Sequence, residues 1–118
     1  MGHNLALGAH GEQLAAEYLA GTGMEIVERN WRSRNGEIDL IAADGDGLVF
    51  VEVKTRTGTG FGLPVEAVTV TKQRRIRLLG LEWLRESERH WGRVRFDVVS
   101  ILLLRGSAPR IEHIEGAF

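Results

Sequence analysis

The chain has 118 residues, 43% of them hydrophobic and 26% charged, the size and balance of one globular domain over residues 1–118 with no room for a second. The absence of cysteine excludes disulfides, thiolate zinc sites, iron–sulfur clusters and a cysteine nucleophile, and the four histidines are too scattered for a zinc-binding pair, so any metal is expected on oxygen ligands. No stretch approaches the ~20 apolar residues of a membrane helix, and no secretory or myristoylation signal is legible, so a cytoplasmic protein without a membrane partner is expected.

Residues 8–20 (GAHGEQLAAEYLA) place Leu14, Ala15, Tyr18 and Leu19 on one apolar helix face, closed by Gly21-Thr22-Gly23. Residues 24–32 mix β-branched, aromatic and charged side chains and read as a strand, followed by a turn signal at Asn35-Gly36. Residues 37–43 (EIDLIAA) and 48–55 (LVFVEVKT) are the clearest strands, and the Asp44-Gly45-Asp46-Gly47 sequence between them predicts an antiparallel hairpin. Residues 56–64 (RTGTGFGLP) read as a loop whose three glycines allow close backbone approach to a ligand. Thr71 is a candidate cap for a helix over residues 72–88, with Ile76, Leu79, Trp83 and one of Leu78, Leu81 or Leu84 facing inward. A buried strand over residues 94–104 and a short edge strand over 110–115 complete the order α-β-β-β-α-β-β.

A symmetric hairpin turn centred on Gly45-Asp46 pairs positions whose numbers sum to the same value, so Asp39 faces Glu52 and Glu37 faces Lys54. The two-residue period puts these four on one side of the sheet, and Ile38, Leu40, Val49, Val51 and Val53 on the other. Two facing carboxylates repel unless a cation lies between them. Lys54 supplies part of that charge, and a divalent ion such as Mg²⁺ or Mn²⁺, held by Asp39 and Glu52 and retaining its waters, would supply more. Such an ion orients water and polarises a phosphate, which suits phosphodiester hydrolysis. The competing account is an ordinary solvated sheet face with cross-strand ion pairs. It fits less well because Ile41, Leu48 and Phe50 share the acids' face and require cover.

Ile38-Asp39 followed by Glu52-Val53-Lys54 resembles the PD-(D/E)XK nuclease superfamily, with Ile in place of its Pro. More closely, G-E-x-x-A-x-x-Y-L at 11–19, R-N-W-R at 29–32, G-E-I-D-L-I at 36–41, F-V-E-V-K-T-R at 50–56, F-G-x-P at 61–64 and R-F-D-V-V at 95–99 look like the YraN family of small bacterial endonuclease-like proteins. A more distant likeness is to archaeal Holliday-junction resolvases. The resemblance implies a restriction-endonuclease-like α/β fold, a mixed sheet flanked by helices. It further implies Asp39 and Glu52 as metal ligands, Lys54 as the catalytic lysine, and Glu12 on the first helix as a third acid at the site. Glu37 reads either as a supporting site residue or as a plain ion-pair partner of Lys54. Asp97, among Arg95, Phe96 and Val98, reads as a structural acid paired to a neighbouring base.

The formal net charge of −1 conceals an asymmetry: residues 29–77 hold nine of the fifteen Lys and Arg against six of the sixteen acids, a local excess of +3. That excess suits an anion-binding face. Arg29, Arg32 and Arg34, with Trp31 among them, could contact a phosphate backbone and stack on a base, although a tryptophan is more often core than a stacking platform. Lys72, Arg74, Arg75 and Arg77 crowd a helix N-terminus, where cations oppose the macrodipole and an anion would offset the penalty. With Arg56 and the glycine loop they outline a nucleic-acid path, DNA being the expected partner. No G-x-S-x-G elbow or Walker A sequence competes with this reading. The leading expectation is a Mg²⁺- or Mn²⁺-dependent nuclease acting on DNA, branched or flapped structures included, and able to work as a homodimer. The alternative is a non-catalytic nucleic-acid-binding or partner-docking module on the same fold.

Overall fold

The computed structural model describes residues 2–58 and 68–118, with side chains from residue 6 onward. The elements follow the expected order: α1 (Gly2–Gly21), β1 (Glu25–Ser33), β2 (Gly36–Asp44), β3 (Gly47–Arg56), α2 (Val70–Glu86), β4 (Arg93–Leu102) and β5 (Arg110–Ile114). The five strands form one mixed sheet in sequence order. Only β3 and β4 run parallel, because α2 carries the chain back between them; the other neighbours are antiparallel.

Helices cover both faces, so β3 is buried from Gly47 to Glu52 instead of alternating inside and out. On one face Ala15, Ala16 and Leu19 of α1 pack on Leu40, Ala42, Val49, Val51, Val99 and Ile101. On the other, Leu79 and Trp83 of α2 pack on Ile38, Ile41, Leu48 and Phe50. The small residues of α1 permit a close approach: a Cβ on Gly11 would lie 1.8 Å from Thr55 Oγ1. Ile76, Leu79 and Trp83 are buried as expected, and Leu84, not the exposed Leu78 or Leu81, joins them.

Several details differ from expectation. The first helix begins at Gly2, ahead of residue 8, and Tyr18 is 36% exposed, its ring meeting the edge of His113 instead of entering the core. The second helix is capped by Thr69, whose hydroxyl accepts the Lys72 N–H; Thr71 already lies in the first turn, because both threonines suit a cap and the chain turns helical earlier. The β1–β2 turn has Arg34 and Asn35 at its centre, between the paired Ser33 and Gly36. Of the expected loop over residues 56–64, Arg56 ends β3, and the part from residue 59 onward lies outside the described residues, as does F-G-x-P.

The β2–β3 hairpin has the expected register, with Leu40 opposite Val51 and Asp44 opposite Gly47 around Gly45-Asp46. Gly45 takes φ +63° at the first loop position, a conformation that glycine adopts without strain. Ile38 breaks the alternation. It packs with Ile41 and Phe50 on the α2 side, not with Leu40. The cause lies at Asp39: the β1–β2 ladder passes from Arg29/Leu40 to Trp31/Ile38 without an Asn30/Asp39 rung, and the β2–β3 ladder ends at Leu40/Val51. Asn30 sits in the left-handed region at φ +50°, which asparagine tolerates better than most residues. The strand rolls over at that point.

Candidate active site

Leaving the ladder frees Asp39 to act through its side chain. Its Oδ2 accepts the Val53 N–H at 2.8 Å, so a carboxylate takes a backbone group where the two strands part. The fork opens into a hollow of about 720 Å³, lined by Glu12, Asn30, Arg32, Glu37, Asp39, Glu52, Lys54 and Lys72 among others. Five elements meet there: α1 brings Glu12, β1 brings Asn30 and Arg32, β2 brings Glu37 and Asp39, β3 brings Glu52 and Lys54, and α2 brings Lys72. The structure therefore gathers all four residues expected to be catalytic into one concavity. The two acids do not form a ladder pair, but they line the same space.

Electrostatics mark Asp39 as the strained member. Burial, then the charge on Glu52, push its pKa up to about 7 against the opposing Val53 hydrogen bond; Glu12 and Glu37 add to the rise. Glu12 is also raised, by burial and then by Glu37 and Glu52, with Arg32 opposing. Its carboxylate is gripped by Asn30, whose amide nitrogen, turned toward it, donates to both oxygens at 3.1 and 2.9 Å.

Glu52 is the better compensated acid. Its side chain is only 7% exposed, and its Oε1 meets Lys72 Nζ at 2.6 Å and Lys54 Nζ at 3.5 Å. Burial lowers Lys72, but the hydrogen bond and charge of Glu52 outweigh it and hold Lys72 above the ordinary lysine value. Lys54 moves the other way: burial, then the neighbouring Lys72, make its ammonium easier to deprotonate.

The expected Glu37–Lys54 pair does not form. Glu37 lies opposite Arg32 across β1, and Arg32 Nε donates to its Oε2 at 2.9 Å. Arg32 and Lys72 line the acid hollow, Arg34 and Arg75 line a second hollow beside it, and Arg56 lies in a third with Ser100 and Glu112. The basic residues thus do not form one continuous floor at the acids. Arg77 turns away entirely, its guanidinium stacked over Phe96 and Phe118 at 5.0 and 5.8 Å from the ring centroids. Trp31 is half-buried and packs on the α2-side core, as a core tryptophan would.

Asp97 is the structural acid expected, with more partners than its sequence neighbourhood shows. Fully buried, it accepts from Arg95 Nε and Nη2 at 2.8 and 3.0 Å and from the Gly116 N–H at 3.0 Å, and it meets His113 Nε2 at 2.7 Å. Three contributions escaped the sequence reading: Lys72 as an acid's partner, Asn30 as the clasp on Glu12, and His113 as the lock on Asp97. Only Asn30 left a signal, an asparagine in the interior of a strand.

The acid hollow supplies oxygen donors alone. Among the described residues no three His, Asp or Glu side chains are grouped closely enough to form an all-protein metal cage. A pair of carboxylates, one of them with its pKa raised by burial and then by the other's charge, instead fits a hard divalent ion that keeps several waters.

The description "Uncharacterised protein family UPF0102" matches residues 11–101, which spans α1 from Gly11 through most of β4. The chain is 71% identical to a UPF0102 protein of Rhodococcus opacus over the full length of both. It is 58% identical to one of Nocardia farcinica, covering all of this chain and 93% of that one. A more distant relative in Geobacter sulfurreducens is 51% identical, with 98% of this chain and 91% of that protein covered.

Proposed function

The chain belongs to the uncharacterised protein family UPF0102, and we propose that it is a metal-dependent phosphodiester hydrolase of the PD-(D/E)XK type, acting on nucleic acid and most directly on DNA. The observation that carries this reading is the fork between β2 and β3, where Asp39, Glu52 and Lys54 line one hollow with Glu12 and Lys72. Asp39 and Glu52 would hold Mg²⁺ or Mn²⁺. The bound ion would polarise the scissile phosphate and orient a water.

The chain's own groups account for the remainder. Glu52 fixes Lys54 and Lys72 at the acid hollow through one carboxylate oxygen. The Lys54 ammonium, easier to deprotonate than an ordinary lysine, is suited to accept a proton at Nζ or to offset charge on the attacked phosphate. Lys72 remains the persistent cation of the pair. Glu12, clasped by Asn30, faces the same space as an acceptor for water.

Purified protein given Mn²⁺ and single-stranded, duplex or four-way-junction DNA is expected to nick at least one of them. Glu52→Gln and Lys54→Ala should each abolish the nicking. Cleavage that survived both substitutions would belong to a contaminant and remove this reading.

A second reading, a binding module without turnover, is favoured by one observation: Lys72 already neutralises Glu52 from within the chain. Calorimetry separates the two. Binding of Mn²⁺ that Asp39→Asn removes supports the hydrolase, whereas DNA affinity that is steep in salt but indifferent to divalent ions supports the module.

A further inference from the structure

A second hollow, of about 690 Å³, lies on the α2 side of the β1–β2 turn, and its lining is dominated by four arginines: Arg34 from the turn, and Arg74, Arg75 and Arg85 from α2. The one acid among its lining residues is Glu82. That carboxylate is already engaged, its Oε2 accepting Ser33 Oγ at 3.2 Å and Asn35 Nδ2 at 3.3 Å. Among the described residues none of the four arginines forms an ion pair. All four are exposed. Four guanidinium groups converging with one occupied carboxylate raise the local potential, and their planar forks match the oxygens of a phosphate.

Placement sharpens the point. Successive residues of α2 divide between the two hollows, Thr71 lining the arginine one and Lys72 the acid one; at the turn, Asn35 lines the first and Glu37 the second. The hollows adjoin along both elements. Leu78, 66% exposed, stands among the arginines and offers an apolar contact for a sugar or base. Arg77, on the same helix, is spent on Phe96 and Phe118, so the helix sorts its arginines by face.

We propose that the arginine hollow is a docking track for the phosphodiester backbone of nucleic acid, carrying the strand onward from the acid hollow. The track rests on the reading of the acid hollow as a nucleic-acid site, since neighbouring residues of α2 and of the β1–β2 hairpin line both hollows. An acidic protein is the less favoured occupant: it would use the charges but not the adjoining acid hollow.

The test is fluorescence anisotropy with labelled single-stranded and duplex DNA in EDTA, so that binding is read without cleavage. The double variant Arg75→Ala/Arg85→Ala is expected to bind about tenfold or more weakly, with a salt slope shallower by about two. Arg105→Ala, in the turn before β5, serves as the control and should bind as wild type. Thermal melts of the double variant should match wild type, because both side chains are exposed. Wild-type affinity in the double variant overturns the track, whatever the protein hydrolyses. Equal or tighter binding of polyglutamate, lost in the same variant, overturns it in favour of an acidic protein. Arginine-dependent DNA binding with no Mn²⁺-dependent nicking leaves the track standing and removes the hydrolase.

Discussion

Lys72 Nζ lies 2.6 Å from Glu52 Oε1, so an ammonium from α2 is the principal counter-charge of a carboxylate buried in the middle of β3. Lys54, two residues further along the strand, reaches the same oxygen only at 3.5 Å. A buried acid that loses its main partner is costly, and Lys72→Met, which keeps the apolar stem, should lower stability by about 1–3 kcal/mol in EDTA. A divalent ion held by Glu52, as proposed, would supply the missing charge. Melting temperatures with and without millimolar Mn²⁺ should therefore show a larger metal-induced rise in the variant than in wild type. An equal rise in both would separate Lys72 from the proposed metal site.

Asp39 gives a pH signature of defined sign. Its pKa rises from 3.8 to about 7 on folding, through burial first and the Glu52 charge second. Between these values the folded chain binds a proton that the unfolded chain releases. This contribution to stability is complete below about pH 4, falls as pH rises through the window, and is gone above about pH 7. Asp39→Asn keeps an oxygen to accept the Val53 N–H while removing the charge. The variant should be more stable than wild type at pH 8 by an amount on the order of a few kcal/mol, with the gap closing toward pH 4. Denaturant titrations at several pH values measure it, and a gap that stays constant would show that Asp39 is not the strained group.

What the sequence disclosed and what it withheld follow from range. The Gly45-Asp46 turn fixes the hairpin register locally, and the periodicity of Ile76, Leu79 and Trp83 fixes the buried stripe of α2, so both were legible. Glu52 and Lys54 sit two apart on one strand and had to share a face. The side taken by Ile38 was not legible, because the roll at Asp39 arises from the left-handed backbone of Asn30 in a different strand. Nor was the partner of Glu37 read, because it is set by a different hairpin: the two-residue Arg34-Asn35 turn puts Arg32 opposite Glu37 across β1, which arithmetic on β2 and β3 does not contain. Lys72 reaches Glu52 from the far side of a crossover, and His113 reaches Asp97 from an edge strand. Contacts of that span depend on the assembled sheet.

Gly11 and Gly8 occupy the same helix yet should respond oppositely to alanine. A Cβ at Gly11 would fall 1.8 Å from Thr55 Oγ1 and 2.8 Å from Thr55 Cβ, so α1 must lift from β3 at the point where it presents Glu12. Overpacking of this kind costs about 1–3 kcal/mol, more than the ~1 kcal/mol that alanine gains in helix propensity. A Cβ at Gly8 meets nothing within 4 Å. Gly8→Ala should therefore stabilise the chain by up to about 1 kcal/mol. Urea denaturation of the two variants in parallel checks the contrast. If Gly11→Ala proved neutral, the tight α1–β3 contact would be wrong.

Asp97 anchors the C-terminal edge of the sheet from a fully buried position. Its two oxygens are divided between β4, β5 and the chain beyond: Oδ1 takes Arg95 Nε and the Gly116 N–H, and Oδ2 takes Arg95 Nη2 and His113 Nε2. Asp97→Ala removes the partner of all these groups at once; Arg95 keeps Asp44 and Glu115 at 3.6 and 3.9 Å, but the His113 side chain, only 8% exposed, loses its acceptor. The expected loss is about 3–5 kcal/mol, the range for breaking a buried charged network from one side. His113→Ala, which leaves Arg95 and the Gly116 N–H in place, should cost less. Hydrogen exchange distinguishes a local from a global effect: with His113→Ala, protection should fall first in β5 and at Gly116 while β3 remains protected. Uniform loss across the sheet would mean that His113 supports the whole core instead of holding its edge.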